Sequence, residues 1–179
     1  MTTPIKLSAE DRLDIIELFA RYAWAIDLGD AKEVVECFTE DAYFDHLWQG
    51  RVQGHDAIVK NLEALWYGRG AWWYGRQHLF NHFRFFPESA DRVRVKSFNQ
   101  IIQLNVEYRN YFVFGMGTRD DVVERHDGRW YFKNLFVNAW MEREDVPWKG
   151  TMHHMAAPRP KRSDPTPPEF QGAEAVSGS

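Results

Sequence analysis

Residues 111–141 read YFVFGMGTRDDVVERHDGRWYFKNLFVNAWM, and this stretch decides the fold. Apolar and aromatic residues run through it on both sides of His126-Asp127-Gly128. An Asp-Gly pair flanked in this way is a strong short-range signal for a β-hairpin. The spacing predicts strands over Tyr111–Arg125 and Arg129–Met141, paired antiparallel across that turn. Moving back along the chain, Arg92–Val106 alternates basic and apolar residues at its start and predicts a further long strand. A turn over Pro87–Asp91 separates it from a strand over Gln77–Phe86.

Upstream the period changes from two to 3.6. Ser8 is suited to cap a helix, with Asp11 three residues later completing a box-like start. Ile16, Phe19, Ala20 and Ala23 then follow the i, i+3, i+4, i+7 spacing of a buried stripe. Gly29 and Asp30 end this helix, and Asp30 caps a short second one through Phe38. Ala42–Trp48 reads as a strand, and a third helix follows over Ala57–Tyr67. Beyond a Gly- and Trp-rich loop, Gly68–Gly75, the long strands begin. Helices followed by an antiparallel meander make the class α+β. From Pro158 the composition turns to Pro, Ser, Gly and charge. The expectation is one domain over residues 1–157 and a flexible tail over 158–179.

The chain has 179 residues, enough for one domain that buries about two thirds of its surface. Cys37 is the only cysteine, so no internal disulfide forms. Met1–Glu10 lacks the layout of a signal peptide, and no apolar run reaches the ~18 residues of a membrane span. A soluble, cytoplasmic protein is expected, with no membrane partner. A net charge of -4 and a pI near 6.0 give no footprint for nucleic acid. The 8 Trp and 13 Phe are core material or the walls of a pocket for rings, and composition does not choose between the two.

Asp27 lies eleven positions after Ile16, about 20° away on a wheel of 100° per residue. If it points inward, desolvation raises its pKa and makes it a better base. If it does not, it caps the helix end beside Gly29. Tyr22, five residues earlier and near the edge of the same face, donates a hydrogen bond into a pocket or keeps its hydroxyl in water. His78, Phe80, His82, Arg84 and Phe86 are expected on one face of their strand. Two histidines invite a metal, but zinc takes three or four ligands and neither HExxH nor CxxC is present. His153-His154 falls near the tail. Neither a metal nor a cofactor is expected. Asn99, Gln103, Asn134 and Asn138 orient a substrate or serve as cross-strand partners. There is no Gly-rich phosphate loop and no GxSxG.

Three strings carry a resemblance: RYAWAIDLGDAKEVVECFTEDAYFD (21–45), RQHLFNHFRF (76–85) and ERHDGRWYFKNLFV (124–137). Together they resemble SnoaL-like domains of the nuclear-transport-factor-2-like superfamily, over roughly residues 8–142. The resemblance implies a curved sheet wrapped by helices into a cone with a deep pocket. In the dehydratase-like branch of that family, an Asp ending the first helix pairs with a His on the first long strand. Asp27 and His78 match those positions, and Tyr22 matches a Tyr of the bile-acid dehydratases. Two positions depart from relatives: Gln103 falls where scytalone dehydratase has a second His, and Leu135 near an Arg of the dehydrochlorinase. The implied activity is that of a cofactor-independent lyase acting on an aromatic or polycyclic small molecule, by dehydration or by retro-aldol loss of formaldehyde. An isomerase, a ligand-binding module and an oxygenase β-type subunit are the alternatives on the same fold. Asp27, His78 and Tyr22 would be catalytic. Tyr43, Trp48, Phe80, His82, Asn99, Gln103, Asn138 and Trp140 would contact substrate. Trp24, Phe44, Trp66, Trp72 and Trp73 are further wall candidates. A homodimer or homotrimer is expected, and His78 is expected to gain basicity from its carboxylate partner.

Overall fold

The structure is a computed structural model, and it describes residues 5–46, 50–68, 75–141 and 145–147. Helix α1 (Ala9–Leu28) starts where Ser8 Oγ accepts the Asp11 amide at 2.9 Å. It ends at Gly29, whose φ of 75° is readily adopted only without a Cβ. Its buried residues are Ile15, Leu18, Phe19, Tyr22, Ala25 and Ile26. The expected stripe is therefore rotated by one residue, and Ile16 is 37% exposed. The reason is that α1 is apolar on both sides. Leu13, Ile16 and Trp24 form an outward stripe of the same period, so periodicity alone fits either phase.

Asp30 Oδ1 accepts the Glu33 amide and caps α2 (Ala31–Val35), a single turn that stops short of Phe38. Phe38 instead opens β1 (Phe38–His46), which forms a hairpin with an unexpected short strand, β2 (Gly50–Gln53). After α3 (His55–Tyr67) come β3 (Gln77–Ser89), β4 (Arg92–Asn105), β5 (Asn110–His126) and β6 (Arg129–Ala139). The strands form one sheet in the order β2-β1-β6-β5-β4-β3, antiparallel except where β1 runs parallel to β6. The sheet is curved and unclosed, and with the helices it makes a cone-shaped α+β fold. The Asp-Gly turn forms as the sequence predicts. Asp127 and Gly128 both have positive φ, 50° and 79°, as a type I′ hairpin requires. Pro87 lies within β3 instead of in a turn. Because β3 is an edge strand, the missing N–H need not break the ladder.

A bulge in β3 changes the site. The register with β4 shifts between Asn81 and Arg84, and His82 there takes a φ of 54°. An added residue flips every later side chain to the other face. His78 and Phe80 point in and are followed by the half-buried Phe83 and Phe85, whereas His82, Arg84 and Phe86 are exposed. The expected common face of His78, His82 and Arg84 therefore does not form.

The core is aromatic where α1 meets the sheet. Phe19 and Tyr22 each pack edge-to-face on Phe132, at 4.9 and 5.4 Å between ring centres. Tyr22 also meets Phe38 edge-on at 5.7 Å. Such arrangements put the positive ring edge against the negative ring face. Around this cluster Val93, Val95, Val123, Trp130 and Leu135 complete an apolar interior. Asp11 fastens the start of α1 to that end, accepting from Arg125 Nη1 at 2.9 Å and Trp130 Nε1 at 3.2 Å.

Candidate active site

A cavity of about 50 Å³ lies between the sheet and helices α1 and α3. Tyr22 and Ile26 approach it from α1, and Leu62, Leu65 and Trp66 from α3. The sheet contributes Phe44, His46, His78, Phe80, Asn99, Ile101, Phe114, Arg119 and Val137, and Arg76 stands just before β3.

Asp27 and His78 meet beside this cavity. Asp27 Oδ2 accepts the backbone N–H of His78 at 2.7 Å, and Oδ1 lies 2.5 Å from His78 Nδ1. Both side chains are close to nine-tenths buried. The tautomer that suits this contact carries the ring proton on Nδ1, as donor to the carboxylate oxygen, and keeps the lone pair on Nε2. Asp27 sits in the last turn of α1, where the helix dipole disfavours negative charge and no basic residue offsets it. The two hydrogen bonds from His78 supply that compensation across 51 residues of sequence. The imidazole itself is held below the ordinary histidine pKa. Burial is the main cause; the hydrogen bond and charge of Asp27 pull the other way, and Arg76 and Arg119 add to the lowering. This differs from the expectation that the carboxylate would raise it, because desolvation outweighs the pair.

Arg119 was not anticipated as a site residue. It is 2% exposed, and its Nε donates to Asp121 Oδ2 at 2.8 Å. Asp121 Oδ1 accepts the Phe136 amide. The guanidinium carbon stands 4.3 Å from the centre of the Phe80 ring and 5.1 Å from that of Phe19. Its Nη2 has no hydrogen-bond partner, and the same holds for Ser97 Oγ and Asn99 Oδ1 on the neighbouring strand. Strand alternation offered a signal, since Arg119, Asp121 and Val123 share one face. Charge argued the other way, because buried arginines are rare. His46 was also missed. It stacks on Phe44 at 5.9 Å, and burial holds its pKa low, with His78 and Arg76 adding to the effect.

The other expected residues separate into two groups. Tyr22, Phe80, Asn99, Phe44 and Trp66 line the cavity. Tyr22 is 2% exposed, and burial raises its phenol pKa strongly, so it stays protonated and keeps an O–H to donate. Gln103 is one step removed. It is wholly buried, and its Oε1 accepts from Arg76 Nε at 2.8 Å. Tyr43, His82, Asn138 and Trp140 are not among the lining residues. Tyr43 alternates with the inward Ala42 and Phe44 and meets Arg51. Asn138 pairs with Thr118, between the inward Gly117 and Arg119. His82 and Trp140 both pack on Phe98, which alternates with the cavity-lining Asn99. Trp24 is 69% exposed and borders an outer groove between α1 and β3. Trp48, Trp72, Trp73, His153, His154 and the expected tail lie outside the described residues. Among the described residues no three His, Cys, Asp or Glu side chains gather as a ligand set for a metal, and no helix is long and apolar enough to cross a membrane.

No curated protein matches this chain. Solved structures share its fold. A candidate scytalone dehydratase from Novosphingobium aromaticivorans is 23% identical, over 74% of this chain and 85% of that one, with a TM-score of 0.63. A candidate aromatic ring hydroxylase from the same organism is 23% identical, over 82% and 97%, with a TM-score of 0.65. A Nostoc punctiforme protein of unknown function with a cystatin-like fold is 22% identical, over 73% and 92%, with a TM-score of 0.63. The model of the SnoaL-like domain matches residues 7–135, from just before α1 to the middle of β6, and the chain belongs to the SnoaL-like domain family.

Proposed function

We propose that this protein is a cofactor-independent lyase that moves protons through His78 and Asp27 on a ring-bearing small molecule. The observation that carries the reading is the double hydrogen bond from His78 to Asp27, which fixes the imidazole and leaves Nε2 as its base. The family includes dehydratases and isomerases, which supports small-molecule chemistry at this site.

The step balances as an elimination. His78 Nε2 takes a proton from carbon, and the electron pair left behind forms a C=C bond. The β-oxygen departs with its bonding pair and collects the proton back from the imidazolium as water. For a hydroxymethyl substrate, the same nitrogen takes the O–H proton and the C–C bond breaks. Formaldehyde leaves, and the resulting carbanion recovers the proton. The neutral phenol of Tyr22 donates to an oxygen in either case. A cavity of about 50 Å³ holds small groups as it stands. An engineered cavity that binds benzene is about 150 Å³. A ring therefore enters only with displacement of an apolar wall residue such as Leu65.

The test is a panel of hydroxylated aryl and polycyclic compounds, with product mass as the readout. A lyase product lacks water or formaldehyde, whereas an isomerase product conserves mass. His78→Ala should keep its circular dichroism spectrum and lose about 10²–10⁴-fold in turnover. The acid limb of kcat/KM should lie below the ordinary histidine value of 6.5, because burial lowers the His78 pKa and keeps the base neutral to lower pH. A folded, fully active His78→Ala would end the reading.

A further inference from the structure

Arg119 takes no part in the proton transfer described above, and its bonding is unlike that of a cation kept to neutralise a carboxylate. Such a pair would normally engage as a two-pronged fork. Here Asp121 receives a hydrogen bond from Arg119 Nε alone and turns its other oxygen to the Phe136 amide. Nη2 is left buried without an acceptor. The faces of Phe80, Phe19, Tyr22 and Phe132 surround the guanidinium at 4.3–5.5 Å and offer it π density but no lone pair. A charged donor buried without an acceptor is costly, and such a group calls for an explanation. Arg119 lines the same cavity as His78, with the Phe80 ring beside both, 6.2 Å from the imidazole centre. Asn99 Oδ1, also lining the cavity, and Ser97 Oγ, opposite Arg119 across the sheet, are unpartnered too.

We infer that Arg119 Nη2 is the anion subsite of this cavity and binds the substrate oxygen on which negative charge develops when His78 takes the proton. This rests on the acid–base reading and narrows it. The carbon left with the electron pair, after loss of its proton or of formaldehyde, must be conjugated to that oxygen, as in phenols, ketones and enones. The electron pair left on carbon then delocalises onto an oxygen already facing a guanidinium. A preorganised donor in a water-poor site favours that charge without having to reorganise. The unpartnered Asn99 Oδ1 is an acceptor, suited to a hydroxyl elsewhere on the same molecule.

Acetate is a small oxyanion probe and acetamide its neutral counterpart. Protein carrying ¹⁵N-labelled arginine is titrated with each, and the Arg119 side-chain resonance is followed by NMR. Acetate should shift that resonance to saturation and acetamide should not. If acetate leaves it unmoved in the wild-type protein, or acetamide moves it equally, the subsite is refuted whatever the variants do. Arg119→Met should weaken acetate about tenfold or more. Because that variant strands Asp121, Arg119→Lys is the companion that keeps the charge and the fold, and it should bind acetate more weakly than wild type. A folded variant of either kind with unchanged acetate affinity also overturns the proposal. His78→Ala separates the two readings. It should lose turnover and keep the acetate response. Retained turnover would sink the acid–base reading alone, while the acetate titration still decides the subsite.

Discussion

Two halves of one pair of strands face the same interior and are built differently. Along β4 and β5 the inward rows run Val93 opposite Val123, Val95 opposite Asp121, Ser97 opposite Arg119 and Asn99 opposite Gly117. Toward the Asp127-Gly128 turn the interior is aliphatic and aromatic, with Val93, Val123 and Phe132 completely buried, and the buried Asp121 opposite Val95 marks the border. Two residues farther along, the same alternation delivers polar groups, and Ser97, Asn99 and Arg119 each hold an atom without a partner. Burying apolar surface stabilises a fold by roughly 25 cal/mol per Å², whereas an unsatisfied buried donor or acceptor subtracts about 1–3 kcal/mol. One half therefore holds the fold together, and the other weakens it where a substrate would sit.

Changes on either side of that divide should have opposite signatures. Asp27→Asn should have the largest effect. Its amide keeps the shape but no longer enforces the Nδ1–H tautomer, and turnover should fall about 10⁴-fold, as loss of the carboxylate does in catalytic triads. Thermal unfolding should move little, and a large drop in melting temperature would mean that the pair is structural. Next, Trp130→Ala in the dry half, away from the cavity, should cost about 3–5 kcal/mol of stability in denaturant titrations. The fraction still folded should turn over normally. A smaller change tests the polar half. Asn99→Leu removes an unpartnered oxygen and should raise stability by about 1 kcal/mol while lowering kcat/KM. If stability falls instead, Asn99 belongs to the packing and the division between the halves is not real.

Much of this was legible in the sequence, and the failures have physical causes. Ser8, Asp30 and Asp127-Gly128 were readable because caps and tight turns depend on local chemistry. The pairing of Asp27 with His78 spans 51 residues and came from the family resemblance, because no local rule joins a helix end to a distant strand. The phase of α1 was misread because both of its stripes are apolar. His82 was misplaced by a bulge, which leaves no mark in a period-two pattern. Tyr43 and Asn138 alternate with the inward Phe44 and Val137, so the period-two pattern already turns them outward, whereas Trp140 packs on Phe98 of another strand, a contact no local pattern shows. Arg119 was overlooked for the converse reason, since alternation placed it inside but its charge argued that it belonged in water.

Trp66 carries a lesson for anyone who would enlarge this cavity. Its indole forms part of the wall, and its Nε1 also donates to the carbonyl of Ile26 at 2.9 Å, the residue just before Asp27. Trimming Trp66 to admit a bulkier compound would also remove the latch on the helix end that aims the carboxylate. Redesign for larger substrates is better begun at Leu65 or Ile101, which line the same space with no polar atom on the side chain.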